Sequence, residues 1–313
     1  MSVLQHSRGR IPILVNPNLV PILIWQTNWN SGDGAYSVDV TKTGQEIYID
    51  WGDGSTGRGD DQHYYADSTT KTVKVTSIDG FGSLTQLHVN WRKGLGPLPT
   101  PAGCPALTHY DFQGDGHTGS LPSFAEVPTL QVLKMHDGNQ LTGSIPSFAM
   151  CTALVEFDLR GNPVSGTLPS FAACTLLEKY YTSQNSLSGT LPSFNTCTAL
   201  KEFLCSENLF SGALPTFAAC TALELFHAHS NDFTSYTSGC FSTQKNIFEI
   251  KLHSNSWNQA NVDACLSDLV DSLGGGRVTC NVELNGEGMA TPSAQGIADH
   301  DTLEAAGWTV EIN

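Results

Sequence analysis

The tetrapeptide Gly-x-Leu/Ile-Pro begins at Gly96, Gly119, Gly143, Gly166, Gly189 and Gly212, at intervals of 23 or 24 residues. A unit this short cannot bury an apolar face alone, so the chain must stack its units into a one-dimensional array. A second pattern, Leu-x-x-apolar-x-apolar-x-x-Asn, runs in phase with the first. Its eight copies begin at Leu84, Leu107, Leu130, Leu154, Leu177, Leu200, Leu223 and Ile247. The last column of that pattern reads Asp115, Asn139, Asn162, Asn185, Asn208, Asn231 and Asn255, with Arg92 in the first copy and one extra residue ahead of Asn139.

Each fixed column has a physical reason. Columns 1, 4 and 6 of the pattern, such as Leu154, Phe157 and Leu159, alternate to one side of a short strand and point into a shared core. The Asn side chain both donates and accepts, so it can satisfy backbone groups where the chain leaves the strand. Glycine permits the turn that follows, and proline fixes the return. Phe124, Phe148, Phe171, Phe194 and Phe217 predict an aromatic spine, and Cys151, Cys174, Cys197 and Cys220 a column of buried free thiols.

These residues resemble the leucine-rich repeat family, and the Leu-Ser/Thr-Gly-x-Leu/Ile-Pro continuation is similar to its plant-type variant. The resemblance spans residues 84–257 and implies a right-handed solenoid with a parallel concave sheet. Upstream, the stretch Trp51-Gly52-Asp53-Gly54 resembles the hairpin of polycystic-kidney-disease-type domains and of β-sandwich caps in bacterial surface repeat proteins. Downstream, Val262, Cys265, Leu266, Leu269, Val270 and Leu273 fall at helical spacing. Thr291-Pro292 reads as the start of a second helix, and a strand ends the chain. This ending resembles C-terminal caps of repeat proteins in tailed phages and on bacterial surfaces. The expected organisation is an arm at 1–19, a β-rich domain at 20–80, repeats at 81–257 and an α/β cap at 258–313.

Charge narrows the partners. Residues 1–95 hold eight Lys/Arg against nine Asp/Glu, and residues 96–313 hold seven against 21. An acidic surface repels phosphate, so neither nucleic acid nor an anionic membrane is an expected partner. No apolar run reaches the roughly 18 residues of a membrane span. The stretch after Arg8 and Arg10 is broken by Pro12, Asn16, Pro17, Asn18 and Pro21 with no small-x-small cleavage site, so it reads as an arm that docks on an assembly partner. Nine cysteines without an evident pairing pattern, and no Asn-x-Ser/Thr sequon, point to assembly in a reducing compartment.

Columns 3, 5 and 7 of the repeat face away from the core and drift from copy to copy. They carry His109, Lys134, His136, Glu156, Asp158, Arg160, Lys179, Tyr181, Glu202, His227, His229, Lys251 and His253, the expected binding surface. Six of the ten histidines lie there. The expectation is non-enzymatic recognition of a protein or glycan, with no cofactor, on the exterior of a phage virion or of a bacterial cell. The alternative from another class is a metal-dependent hydrolase built on His227, His229 and His253 with Glu249 nearby. Near the Trp51 hairpin, Asp50, Asp53, Asp60 and Asp61 offer oxygen ligands for calcium at a spacing that matches no standard loop, and Asp53-Gly54 reads as a turn. Gly52-x-Gly54-x-x-Gly57 has no helix after it to make a dinucleotide site, and Arg58-Gly59-Asp60 reads as a chance tripeptide.

Overall fold

A computed structural model describes residues 2–4, 13–15, 22–27, 36–42, 47–58, 62–65, 69–77, 81–90, 94–114, 116–136, 138–273 and 280–313. The chain divides into two compact units, residues 1–151 and 152–313. Most of the expected arm, together with Asp60, Asp61, Arg92 and Asp115, lies outside the described residues.

In the first unit, strands Ile22–Thr27, Lys71–Ser77, Ile47–Asp50 and Thr56–Arg58 form an antiparallel sheet, with Gly94–Leu95 on its far edge. The Asp-Gly turn joins Ile47–Asp50 to Thr56–Arg58, as the sequence predicts. A second sheet changes character along its width. Gln62–His63, Tyr36–Lys42 and Leu84–Asn90 pair antiparallel, whereas Leu84–Asn90, His109–Asp111 and Val132–Lys134 pair parallel. Repetition begins where the pairing turns parallel.

In the second unit the repeat is fully expressed. Strands Glu156–Asp158, Lys179–Tyr181, Glu202–Leu204, Leu225–His227, Glu249–Lys251, Asn281–Leu284 and Thr309–Ile312 form one parallel sheet. A second parallel sheet, Ser165–Gly166, Ser186–Gly189, Leu209–Leu214 and Asp232–Tyr236, forms the flank. Between them two aromatic ladders interleave. Phe157, Tyr180, Phe203 and Phe226 stack at 5.1–5.5 Å, and Phe171, Phe194 and Phe217 stack at 6.0 Å. The ladders meet edge-on, Phe194 against Phe203 and Phe217 against Phe226 at 4.9 Å, the arrangement that ring quadrupoles favour.

The Asn column ties each turn to the one before it. Asn208 Nδ2 donates to the carbonyl of Thr182 in the preceding turn and to those of Cys205 and Ser206 in its own, while its Oδ1 accepts from Leu187 N at 3.0 Å. Asn185, Asn231 and Asn255 repeat this set, and Asn139 does the same in the first unit. The residue before each Asn turns left-handed. Gly138 and Gly161 do so freely, but Gln184, Glu207, Ser230 and Ser254 do so at φ of 53–59°. The turn glycine has a second constraint: a Cβ on Gly189 would stand 2.9 Å from Cγ2 of Thr167 in the turn before.

None of the nine cysteines is in a disulfide, and all are buried. Cys197 Sγ points at the Phe171 carbonyl and Cys220 Sγ at that of Phe194. Burial pushes the Cys197 thiol up to about 11 and the Cys220 thiol to about 12, so these are unreactive thiols.

Two helices replace the extended returns after Lys251. Helix α1 (Gln259–Ser272) is capped by Asn258 and buries Val262, Cys265, Leu266 and Leu269. Helix α2 (Ala294–Ala305) starts later than Thr291-Pro292 implied. Its cap is Ser293, whose hydroxyl accepts from Gly296 N, and Thr291 and Pro292 stand ahead of the cap. The serine offers its oxygen to an orphan amide of the first turn, so the helix begins there.

Replacing Asn208 by Ala orphans buried groups in two turns at once, each costing about 1–3 kcal/mol. The expected loss is about 3 kcal/mol or more in a urea melt. Gln184→Gly should instead raise stability by up to about 1 kcal/mol, because relief of roughly 1–2 kcal/mol of left-handed strain exceeds the added chain entropy of about 0.5–1 kcal/mol.

Candidate ligand-binding face

Side chains of columns 3, 5 and 7 stand on the outer face of the parallel sheet. In the first unit Asp111 is the centre: His88 Nδ1 lies 3.0 Å from its Oδ2, and Gln113 donates to it through its backbone and side-chain nitrogens. His109 is held by the hydroxyl of Thr108 at 2.9 Å, and Lys134 and His136 are half-buried beside it on the next strand and its exit.

In the second unit the face carries two ionic networks with an uncharged strip between them. The first begins at Asp158, which is 1% exposed although its column points outward. Arg160 covers it with a two-pronged contact, Nε to Oδ1 at 3.0 Å and Nη2 to Oδ2 at 2.7 Å. The same guanidinium lies 4.7 Å over the ring of Tyr181, whose hydroxyl donates to Glu202. Lys179 reaches Glu202 at 3.7 Å. Tyr181 is therefore buried at 7% exposure. Burial first, and then the Glu202 carboxylate, raise its hydroxyl pKa. Glu156 and Lys179 share a register position on neighbouring strands.

The second network alternates charge across three strands. Lys251 bridges Glu249 at 3.1 Å and Glu283 at 3.3 Å. His227 Nε2 lies 3.3 Å from Glu249, off the line of a hydrogen bond, and His253 Nε2 lies 3.3 Å from Glu283. Burial works against the ionised Glu249, but Lys251 and His227 outweigh it and hold its carboxyl below the usual range. The bond from Glu249 raises the Lys251 ammonium. Burial lowers His227 despite Glu249, and burial with the neighbouring His253 and His227 lowers His229 to about 4.

Between the networks lie Ser183, Leu204, Ser206 and Leu225. The two serines are buried and bonded to each other at 3.0 Å, and both leucines are half-buried. The strip was not singled out from the sequence, because the signal for it is the lack of charge in those cells of the repeat.

The three histidines do not build a metal site. His229 and His253 lie ring on ring at 4.3 Å and 13°, with His227 6.2 Å away. Stacked rings direct their nitrogens alongside one another, not to one point, and no group of three metal ligands exists among the described residues. At the Trp51 hairpin, Asp53, Ser55 and His63 cluster without making a nucleophile triad. Ser55 Oγ and Asp53 Oδ2 both address Nε2 of His63, at 3.4 and 2.7 Å, so the histidine cannot pass a proton from one to the other. The cluster locks a turn: Asp53 accepts from Ser55 N, and Asp50 accepts from Gly52 N. The partners Asp60 and Asp61 of the calcium reading, and Asp60 of the Arg-Gly-Asp tripeptide, lie outside the described residues.

No family model and no curated protein matches this chain. Among solved structures it is similar to the leucine-rich-repeat ectodomain of the plant membrane receptor kinase GASSHO1/SCHENGEN3 from Arabidopsis thaliana, crystallised with CASPARIAN STRIP INTEGRITY FACTOR 2. That match has a TM-score of 0.52 and 18% identity, over 70% of this chain and 29% of the receptor. PEPR1 in the PEPR1–AtPEP1 structure gives 0.47 and 24%, over 61% and 30%. The Arabidopsis receptor kinase HAESA, in complex with the peptide hormone IDA and the co-receptor SERK1, gives 0.43 and 16%, over 70% and 44%. This chain thus spans less than half the length of each of these neighbours. The fold is a parallel-sheet solenoid of stacked turns, of the leucine-rich-repeat kind.

Removing the Arg160 guanidinium takes the two-pronged ion pair from the buried Asp158 carboxylate, which keeps the bond from the residue-160 backbone amide. Arg160→Met should cost about 1–3 kcal/mol, below the usual 3–5 kcal/mol for a broken buried pair because Arg160 is itself 38% exposed. Adding Asp158→Asn to it should restore most of the loss, read as the coupling energy in a double-mutant melt.

Proposed function

We propose that this protein is a recognition module that binds a protein or peptide ligand on the outer face of its parallel sheet. One observation carries the reading. Along the repeats the Asn, Gly and Pro positions recur almost unchanged and columns 1 and 4 stay apolar, whereas columns 3 and 5 change residue at every turn and column 7 at most of them. A surface that varies this much between structurally equivalent cells is suited to one specific extended partner. The uncharged strip around Leu204 and Leu225, rimmed by charges already paired within the chain, has the composition of an interface core and its rim. The neighbour GASSHO1/SCHENGEN3, crystallised in complex with CASPARIAN STRIP INTEGRITY FACTOR 2, is consistent with a protein-class ligand.

In this reading the module projects from an assembly formed in a reducing compartment, such as a phage virion, to meet a host or neighbouring subunit. Nine buried cysteines, none of them in a disulfide, support that setting.

The test is selection of a displayed random-peptide library on the full chain. Enriched peptides should lose at least tenfold in affinity on Leu225→Lys and keep it on Thr175→Lys, an exposed site on the return. Retention on Leu225→Lys with loss on Thr175→Lys would move the binding surface off the sheet face. Enrichment of glycans on an array, with no peptide selected, would replace the protein ligand with a sugar.

A further inference from the structure

The tripeptide His-Ser-Asn occurs twice, at 229–231 and 253–255, one turn apart. Each Asn belongs to the structural column, and each Ser takes the left-handed turn, at φ 53° and 55°. Each serine hydroxyl lies 3.2 Å from Nδ1 of the histidine before it. The repeated backbone and the repeated serine contact set the two imidazoles parallel, at 4.3 Å. The contact is comfortable while at least one ring is neutral and unfavourable once both are charged.

The surrounding charges are distributed unequally. His253 has Glu283 and His227 has Glu249, and both carboxylates are already shared with Lys251. His229 stands between these two histidines with Ser230 as its hydrogen-bond partner. The carboxylate that bears on it is Glu207 of the preceding turn, while Lys251 opposes its protonation. A proton arriving at His229 therefore finds like charge on two sides and no carboxylate in contact.

We propose that the His229–His253 stack is a proton-operated switch in the sheet face: acid charges the pair, the rings part, and the surface offered at the end of the uncharged strip changes from a flat neutral platform to a divided cationic one. That this alters ligand binding rests on the reading of the sheet face given above, but the switch itself is a property of the free protein and is tested there. The sign of its effect on stability is fixed. His229 drops from its ordinary 6.5 to about 4 through burial and its histidine neighbours. Its contribution is therefore fully present above about 6.5 and is lost as pH falls through that window, where the unfolded chain binds the proton and the folded chain does not.

Side-chain NMR of the full chain, titrated from pH 7.5 to 3.5, tests the proposal. Expected are a His229 midpoint near 4 and ring-to-ring contacts with His253 that vanish with that same midpoint, while the buried Trp257 indole signal persists. His253→Gln should move the His229 midpoint upward. A His229 midpoint near 6.5, or a stack that survives charging of His229, would overturn the switch. Because acid can unfold the protein, His229→Lys and His229→Gln are compared at pH 7.5: both remove the ring and only the lysine adds charge. The His253 ring signals should differ between the two variants, and identical signals would overturn the proposal as well.

Discussion

The fold depends on one interaction, repeated: an asparagine amide buried at the strand exit that bonds backward to the preceding turn and across its own. A stack of short turns has no long-range core to hold its register, since each turn touches only its neighbours. Apolar burial and ring stacking favour adhesion of the turns but tolerate slippage, because they are weakly directional. The Asn208 amide removes that tolerance. It satisfies one amide and three carbonyls at fixed positions, and any other register leaves them unpaired in a dry interior. The strain of the left-handed residue before each Asn is the cost of presenting the amide to both turns.

With register fixed in this way, the outward columns are relieved of structural duty and can diversify. They do not become a free array of charges, however. Arg160, Asp158, Tyr181, Lys179 and Glu202 satisfy one another on the first strands, as do Glu249, Lys251, Glu283 and two histidines on the last ones. Most of the acid on this face is thus compensated internally. What is left unsatisfied is the hydrophobic strip at Leu204 and Leu225, which is why a partner is expected to anchor there and to use the charges as its rim.

The architecture was legible because its determinants are local and repeat: the Asn, Gly, Pro and Phe columns each encode their own geometry. The α2 start was misread because Thr291-Pro292 matches the cap pattern as well as Ser293 does, and only the packed position of the turn decides between them. On the sheet face, alternation predicted which columns point outward but not which of their members stay exposed. Asp158 and Tyr181 disappear beneath Arg160, because a long side chain can fold back two residues along its own turn and also reach across the gap of about 4.7–4.9 Å to the next strand. Column lists hold no information about such reach.

The histidines show the same limit from the opposite side. Three of them on adjacent cells looked like metal ligands because residue type and spacing were all that could be weighed. Ring orientation decides the matter, and it is set by residues that carry no metal chemistry: Ser230 and Ser254, each left-handed, each beside the imidazole that precedes it. A parallel solenoid copies a backbone conformation from turn to turn, so two identical tripeptides in register must present identical rings face to face. Convergence on an ion would need the two turns to differ. The symmetry that builds the fold therefore turns this patch from coordination toward stacking, and gives a half-buried imidazole pair whose change of state is the gain of a proton.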